Sequence, residues 1–239
     1  MTHHRLEAYS DGIFTISATL LVLNFAVPIV MPSDNAMLMH RLIEQWPRLL
    51  AFLLSFGVTM NYWRLHSAMF RGVTIVDHTT VMWNLLLLAA AAFVPYATNV
   101  AGTYPTLPAA AVMYSLTLLL AGLFGLLLSN HLIASRAYGE AVPDVVGMLR
   151  RRIIVAVIMR VVGLGFAFFL PVVSYAIYWL VIIYYLFVRG ADTYRADVTE
   201  HNLPRHSVGA YMRHSAELPG CGPNPMLMPK RPGSPVIVA

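Results

Sequence analysis

The chain has 239 residues, of which 58% are hydrophobic and only 11% charged, with a mean hydropathy of +0.66. Soluble domains carry roughly a quarter charged residues, so this composition excludes an ordinary water-soluble fold and makes lipid the solvent. The net charge of +5 does not indicate nucleic acid as a partner, because the basic residues lie in short segments between apolar runs rather than on one soluble face.

A spanning helix needs about 20 apolar residues to cross about 30 Å of hydrocarbon. In chain order the apolar runs that qualify are Glu7–Val30, Pro47–Trp63, Thr79–Val100, Leu107–Leu132, Ile153–Leu170 and Val172–Val188. His3, His4 and Arg5 precede the first run as they would in a secretory signal. That run is longer than a signal core, however, and no small-x-small cleavage site occurs before Pro28, so it reads as a retained first span. The last two runs are continuous in hydropathy. A single helix over Ile153 to Val188 would be about 54 Å long, too long for one crossing. Gly163, Gly165 and Pro171 near its middle predict a hairpin of two short helices.

Lysine and arginine counts set the orientation. Arg64 and Arg71 come after the second span, Arg136 and Arg150 to Arg152 after the fourth, and six basic residues after the sixth; the opposite side has Arg41 and Arg48. The expected fold is therefore an all-α integral membrane protein of six spans in residues 1–190, with both termini cytoplasmic, in the cell membrane. Residues 191–239 turn polar and then rich in Pro and Gly, and predict a disordered cytoplasmic tail. The single cysteine, Cys221, lies in that tail and permits no intrachain disulfide.

Charged residues at a membrane boundary mark function or a specific partner, and the first span has them: Arg5, Tyr9, Ser10, Asp11 and Gly12 lead into Ile13–Leu23. At about 100° per residue, Gly12, Ile16, Thr19, Leu20 and Leu23 share one stripe, which Tyr9 and Arg5 extend. Ser10, Asp11, Thr15, Ser17 and Ala18 fall mostly opposite. Arg5 and Asp11, six apart, do not form an ion pair on one face, so at least one should find its partner on another helix or subunit. The plainest reading makes Asp11 a cap at the helix start, Arg5 an interfacial anchor, and the hydroxyl residues interhelical packing groups.

The run Arg5-x-x-x-Tyr9-Ser10-Asp11-Gly12 resembles the Arg-x-x-x-Phe-Ser-Asp-Gly signature of the transmembrane protein 175 family, the lysosomal and bacterial potassium channels. Thr19 to Leu23 resembles the segment just after that signature in bacterial members. A second stretch, Ser55-Phe56 through Tyr62-Trp63-x-x-His66, Asp77, Trp83-Asn84 and Val94-Pro95-Tyr96-x-Thr98, is similar in the same order. Tyr9 replaces the usual Phe, and Ser67 stands where many relatives have a second His. The resemblance implies a homotetramer whose first helices line a central pore for potassium. Ile16, Leu20 and Leu23 then form an aliphatic constriction, and Thr19 adds a hydroxyl ring. It also implies that Arg5, Ser10 and Asp11 hold that helix against Trp63 and His66. No Thr-Val-Gly-Tyr-Gly filter is present, so selectivity would come from the lower cost of dehydrating potassium at an apolar ring.

The alternative reading is a proton-coupled transporter or proton pathway using Asp11 and His66, although paired broken helices are hinted at only around Pro171. No phosphate loop, nucleophile elbow or metal-ligand spacing occurs, so neither an enzyme nor a bound cofactor is expected. Trp46, Trp63, Trp83 and Trp179 read as an aromatic belt. Arg160, inside the fifth span, reads as snorkelling toward Arg150 to Arg152.

Overall fold

The structure, a computed structural model, describes residues 3–31, 34–138 and 144–187. The expected tail over 191–239, with Cys221, lies outside them. The described residues form seven α-helices: α1 (His3–Leu20), α2 (Asn35–Ile43), α3 (Trp46–Phe70), α4 (His78–Thr103), α5 (Pro108–Ala134), α6 (Asp144–Ala167) and α7 (Pro171–Phe187). A 3₁₀ turn, Leu21–Asn24, extends α1. Three helices are long and apolar enough to cross a membrane by length and composition: His3–Asn24, His78–Thr103 and Pro108–Ala134. In α3 the apolar run is diluted by Arg48, Asn61, Arg64 and His66, and in α6 by Arg150 to Arg152 and Arg160.

Several sequence boundaries shift. The first helix begins at His3 rather than Glu7 and ends at Asn24 rather than Val30, because Phe25 is extended (φ −86°, ψ 115°) and Pro28 cannot continue a helix. The unexpected α2 lies in the connection to α3; Asp34 starts it by accepting the Met37 N–H at 2.8 Å. Arg64 belongs to α3 rather than to the loop after it. The break near Pro171 falls where the sequence places it. Pro171 opens α7, and its fixed φ and missing N–H suit a first helical residue.

Helix ends meet in an up-and-down order. His3 of α1 bonds the Phe70 carbonyl at the end of α3, and the Thr74 N–H donates to the Ala137 carbonyl just beyond α5 at 2.8 Å. Tyr185 of α7 donates to the Arg152 carbonyl of α6 at 2.7 Å. At this same end Asp77 caps α4, accepting the Thr80 N–H at 2.8 Å and its hydroxyl at 2.6 Å, while His131 of α5 bonds the same carboxylate at 2.8 Å. The Thr80 bonds, with His131, hold the Asp77 carboxyl down at about 2. Its contribution is thus present above pH 4 or so, where the unfolded carboxyl also ionises, and fades as pH falls toward 2. Asp77→Asn keeps the capping acceptor but removes the charge, and should cost about 1 kcal/mol at neutral pH, less than the full pKa shift implies because the carboxylate is partly exposed. Thermal unfolding of both proteins in detergent should differ at pH 7 and converge near pH 2.

The core runs along the centre of the bundle, where Phe14, Leu21, Leu54, Leu87, Tyr114, Leu118 and Tyr178 are buried. α6 and α7 approach closely at Gly163, where an added Cβ would lie 2.5 Å from Cε1 of Tyr178. Arg160 departs from the sequence expectation. It does not snorkel but is 4% exposed, its guanidinium carbon 4.8 Å from the centroid of the Tyr62 ring. The aromatic face attracts the cation, and Gly122 of α5 leaves room, since a Cβ there would meet Nη1 of Arg160 at 3.2 Å. Trp179 sits in the middle of α7 rather than at a span end.

Candidate functional site

α1 packs on α3 and α4 and buries the face carrying Leu6, Ser10, Phe14, Ser17, Ala18 and Leu21. The opposite stripe is left open. Ile16 is 56% exposed and Leu23 72%, and Tyr9, Gly12, Thr19 and Leu20 are at least partly exposed beside them. Thr15, which the sequence places on the buried side, is exposed as well. Both threonine hydroxyls satisfy themselves on their own helix, Thr15 donating to the Asp11 carbonyl at 2.8 Å and Thr19 to the Ile16 carbonyl at 2.9 Å. The stripe is therefore a surface of aliphatic groups and hydroxyl oxygens without formal charge along Gly12 to Leu23.

The buried face is fastened by two polar connections. Asp11 is not the helix cap: the helix starts eight residues earlier, at His3. Its Oδ1 instead accepts the indole Nε1–H of Trp63 on α3 at 2.9 Å. Asp11 thereby finds its partner on another helix, while Arg5 is exposed and makes no hydrogen bond or ion pair among the described residues.

The second connection passes through a residue that sequence reasoning did not single out, Asn84 of α4. His66 Nε2 lies 2.7 Å from Asn84 Oδ1, and Asn84 Nδ2 donates to Ser10 Oγ at 3.0 Å. Ser10 in turn donates to the Leu6 carbonyl at 2.9 Å. Because the amide oxygen can only accept, the His66 proton resides on Nε2. The ring stacks on Phe70 at 4.5 Å and packs near Phe14 at 5.5 Å. All three network side chains, on three helices, are fully buried. The available signal was a polar amide within an apolar run, next to Trp83. A buried amide in such a run must find partners, because an unsatisfied one costs several kcal/mol.

Asp11 and His66 share no hydrogen bond; each is committed to a different partner. A further buried network links α3, α4 and α5, with Thr98 donating to Ser55 at 2.7 Å and Ser55 lying 2.9 Å from the Tyr114 hydroxyl. It occupies the helix segment around Pro95, where the backbone lacks one N–H. The site thus combines a rigidly held inner face with an open, uncharged outer stripe. Such a helix can present aliphatic rings to a copy of itself or to lipid.

A sequence profile described as "Endosomal/lysosomal potassium channel TMEM175" matches residues 5–95. A potassium channel of Chryseobacterium sp. is 30% identical over 186 residues, covering 78% of this chain and 93% of the relative. A potassium channel of Chamaesiphon minutus is 40% identical over 111 residues, 46% of this chain; the match spans 55%, about half, of that relative's length. The crystal structure of a lysosomal potassium-selective channel TMEM175 homolog from Chamaesiphon minutus superposes with a TM-score of 0.69 at 29% identity, over 77% of this chain and 96% of that one. A more distant relative, 25% identical over 124 residues and 24% of its own length, is the endosomal/lysosomal proton channel TMEM175 of Gallus gallus.

Proposed function

This chain belongs to the endosomal/lysosomal potassium channel TMEM175 family, and on that premise we propose that it is a potassium-preferring channel for monovalent cations. It conducts passively as a homotetramer in the cell membrane, through a central pore lined by α1 of each subunit. The observation that carries this reading is the uncovered stripe of α1: Ile16, Leu20 and Leu23, with Thr19 among them, on a helix whose other face is fully packed. A single subunit leaves that stripe open, and four copies around an axis would close it. The aliphatic rings then form the constriction, where an ion must shed or distort its hydration shell, which potassium does at lower cost than sodium. Asp11–Trp63 and Ser10–Asn84–His66 hold the helix in register with α3 and α4.

Six crossings accompany this reading: α1 with its 3₁₀ turn, α3, α4, α5, α6 and α7. The bundle end that gathers His3, Phe70, Asp77, His131 and Arg152 is also the end near Arg5, Arg71, Arg136, Arg150 and Arg151, whereas Arg41 and Arg48 belong to the other. That imbalance favours the basic end, and with it both termini, on the cytoplasmic side.

A relative named for proton conduction favours a second reading, a proton pathway. Liposomes containing the purified full-length protein and an outward potassium gradient separate the two. The channel reading expects potassium efflux, faster than sodium efflux under the same gradient, with proton movement following only the electrical potential. Proton flux persisting with impermeant cations alone, or fixed proton-for-potassium exchange, would overturn it.

A further inference from the structure

The first two turns of α1 bring together three side chains that no spacing motif announces. His3, His4 and Glu7 each place one potential ligand atom within 4.8 Å of the others. On a helix Glu7 lies about 40° from His3 and about 60° from His4, so the three occupy one arc, while Arg5 points to the far side. His4 is exposed and His3 and Glu7 are half-buried, so the cluster is open to solution.

His3 is also oriented from outside the cluster. Its Nε2 lies 3.0 Å from the Phe70 carbonyl oxygen of α3, an acceptor, so the ring proton sits on Nε2. The ring packs against Phe70 at 5.9 Å and meets His4 edge-on at 5.3 Å. Nδ1 is left with the lone pair. A backbone carbonyl fixing one nitrogen while the other ligates is the usual support for a metal-bound imidazole. The position at a helix N-terminus opposes a cation, but only with about half a unit of charge, whereas Glu7 supplies a full negative one.

The geometry points to a divalent transition-metal site formed by His3, His4 and Glu7, with the remaining coordination from water. Two imidazoles and one carboxylate suit zinc, cobalt or nickel rather than magnesium or calcium, which prefer oxygen ligands throughout. Because His3 is tied to Phe70, a bound ion would brace the start of α1 against the end of α3. The site depends on these residues alone and not on what the protein conducts.

The test uses full-length protein in detergent, without a polyhistidine tag. Cobalt is titrated while its visible absorption is followed, and zinc uptake is measured by calorimetry. One saturable equivalent per chain is expected, with affinity at least tenfold weaker in His4→Ala and in Glu7→Gln, and unchanged in His40→Ala. Zinc at a concentration that just saturates the unaltered protein should raise its thermal unfolding temperature more than that of Glu7→Gln. Absence of saturable uptake, uptake that survives both substitutions, or loss in His40→Ala would overturn the assignment.

Discussion

Ile16→Asn should raise potassium flux in reconstituted liposomes by about tenfold and bring sodium permeability close to that of potassium. An aliphatic ring offers no ligand to a partly dehydrated ion, so the barrier there is largely the cost of lost water. An amide from each subunit would return oxygen ligands at that level. Lowering the barrier by about 1.4 kcal/mol, one net hydrogen bond's worth, accounts for a tenfold rate. Selectivity that rests on unequal dehydration costs shrinks once those costs are offset. Leu20→Asn should act in the same direction, one turn further along the stripe. Leu180→Asn, at a position 66% exposed on α7, serves as the control and should leave both quantities unchanged. If neither α1 substitution alters flux or preference, the stripe does not form the constriction.

The second large effect concerns stability. Asn84→Leu keeps the side-chain branching and heavy-atom count but removes both the oxygen that accepts the His66 Nε2–H and the donor to Ser10. Interhelical hydrogen bonds in membrane proteins are worth about 0.6 kcal/mol on average, so the lost bonds alone would be minor. The decisive quantity is the orphaned imidazole N–H in a fully buried position, which costs about 1–3 kcal/mol. Thermal unfolding in detergent should show that loss. The double variant Asn84→Leu with His66→Phe should recover most of it, since the orphaned N–H is gone, Ser10 still donates to Leu6, and the aromatic ring can keep the stack on Phe70. A single variant as stable as the parent would mean that the network does not fasten α1.

Helical periodicity made the open stripe of α1 legible, because Gly12, Ile16, Leu20 and Leu23 recur at a spacing only a helix places on one side. The hairpin at Pro171 was legible for a different reason: proline constrains its own neighbourhood regardless of tertiary context. Partners across helices were legible only through the family resemblance, which set Trp63 and His66 against Ser10 and Asp11 but gave Asn84 no bridging role and left Arg5 without the partner it implied. Periodicity alone carries no information on these pairings, because they depend on how three helices rotate and slide against one another. Asp11 at a helix start came from placing that start at the first apolar residue. The polar turn before it is helical because His3 anchors to Phe70, 67 residues away. Likewise hydropathy marks Arg160 as costly but cannot reveal that an aromatic ring and a glycine receive it.

Arg160 bears on how the protein is made. A lone α6 would carry this cation into hydrocarbon at a cost of about 2.5–3.5 kcal/mol, with neither the Tyr62 face nor the Gly122 recess beside it. Both receiving residues precede it in the chain, so they have left the ribosome before Arg160 is synthesised. On the proposed six-crossing arrangement, the late helices would therefore dock onto a scaffold built from the early ones, with the order of synthesis supplying the arginine's berth in advance.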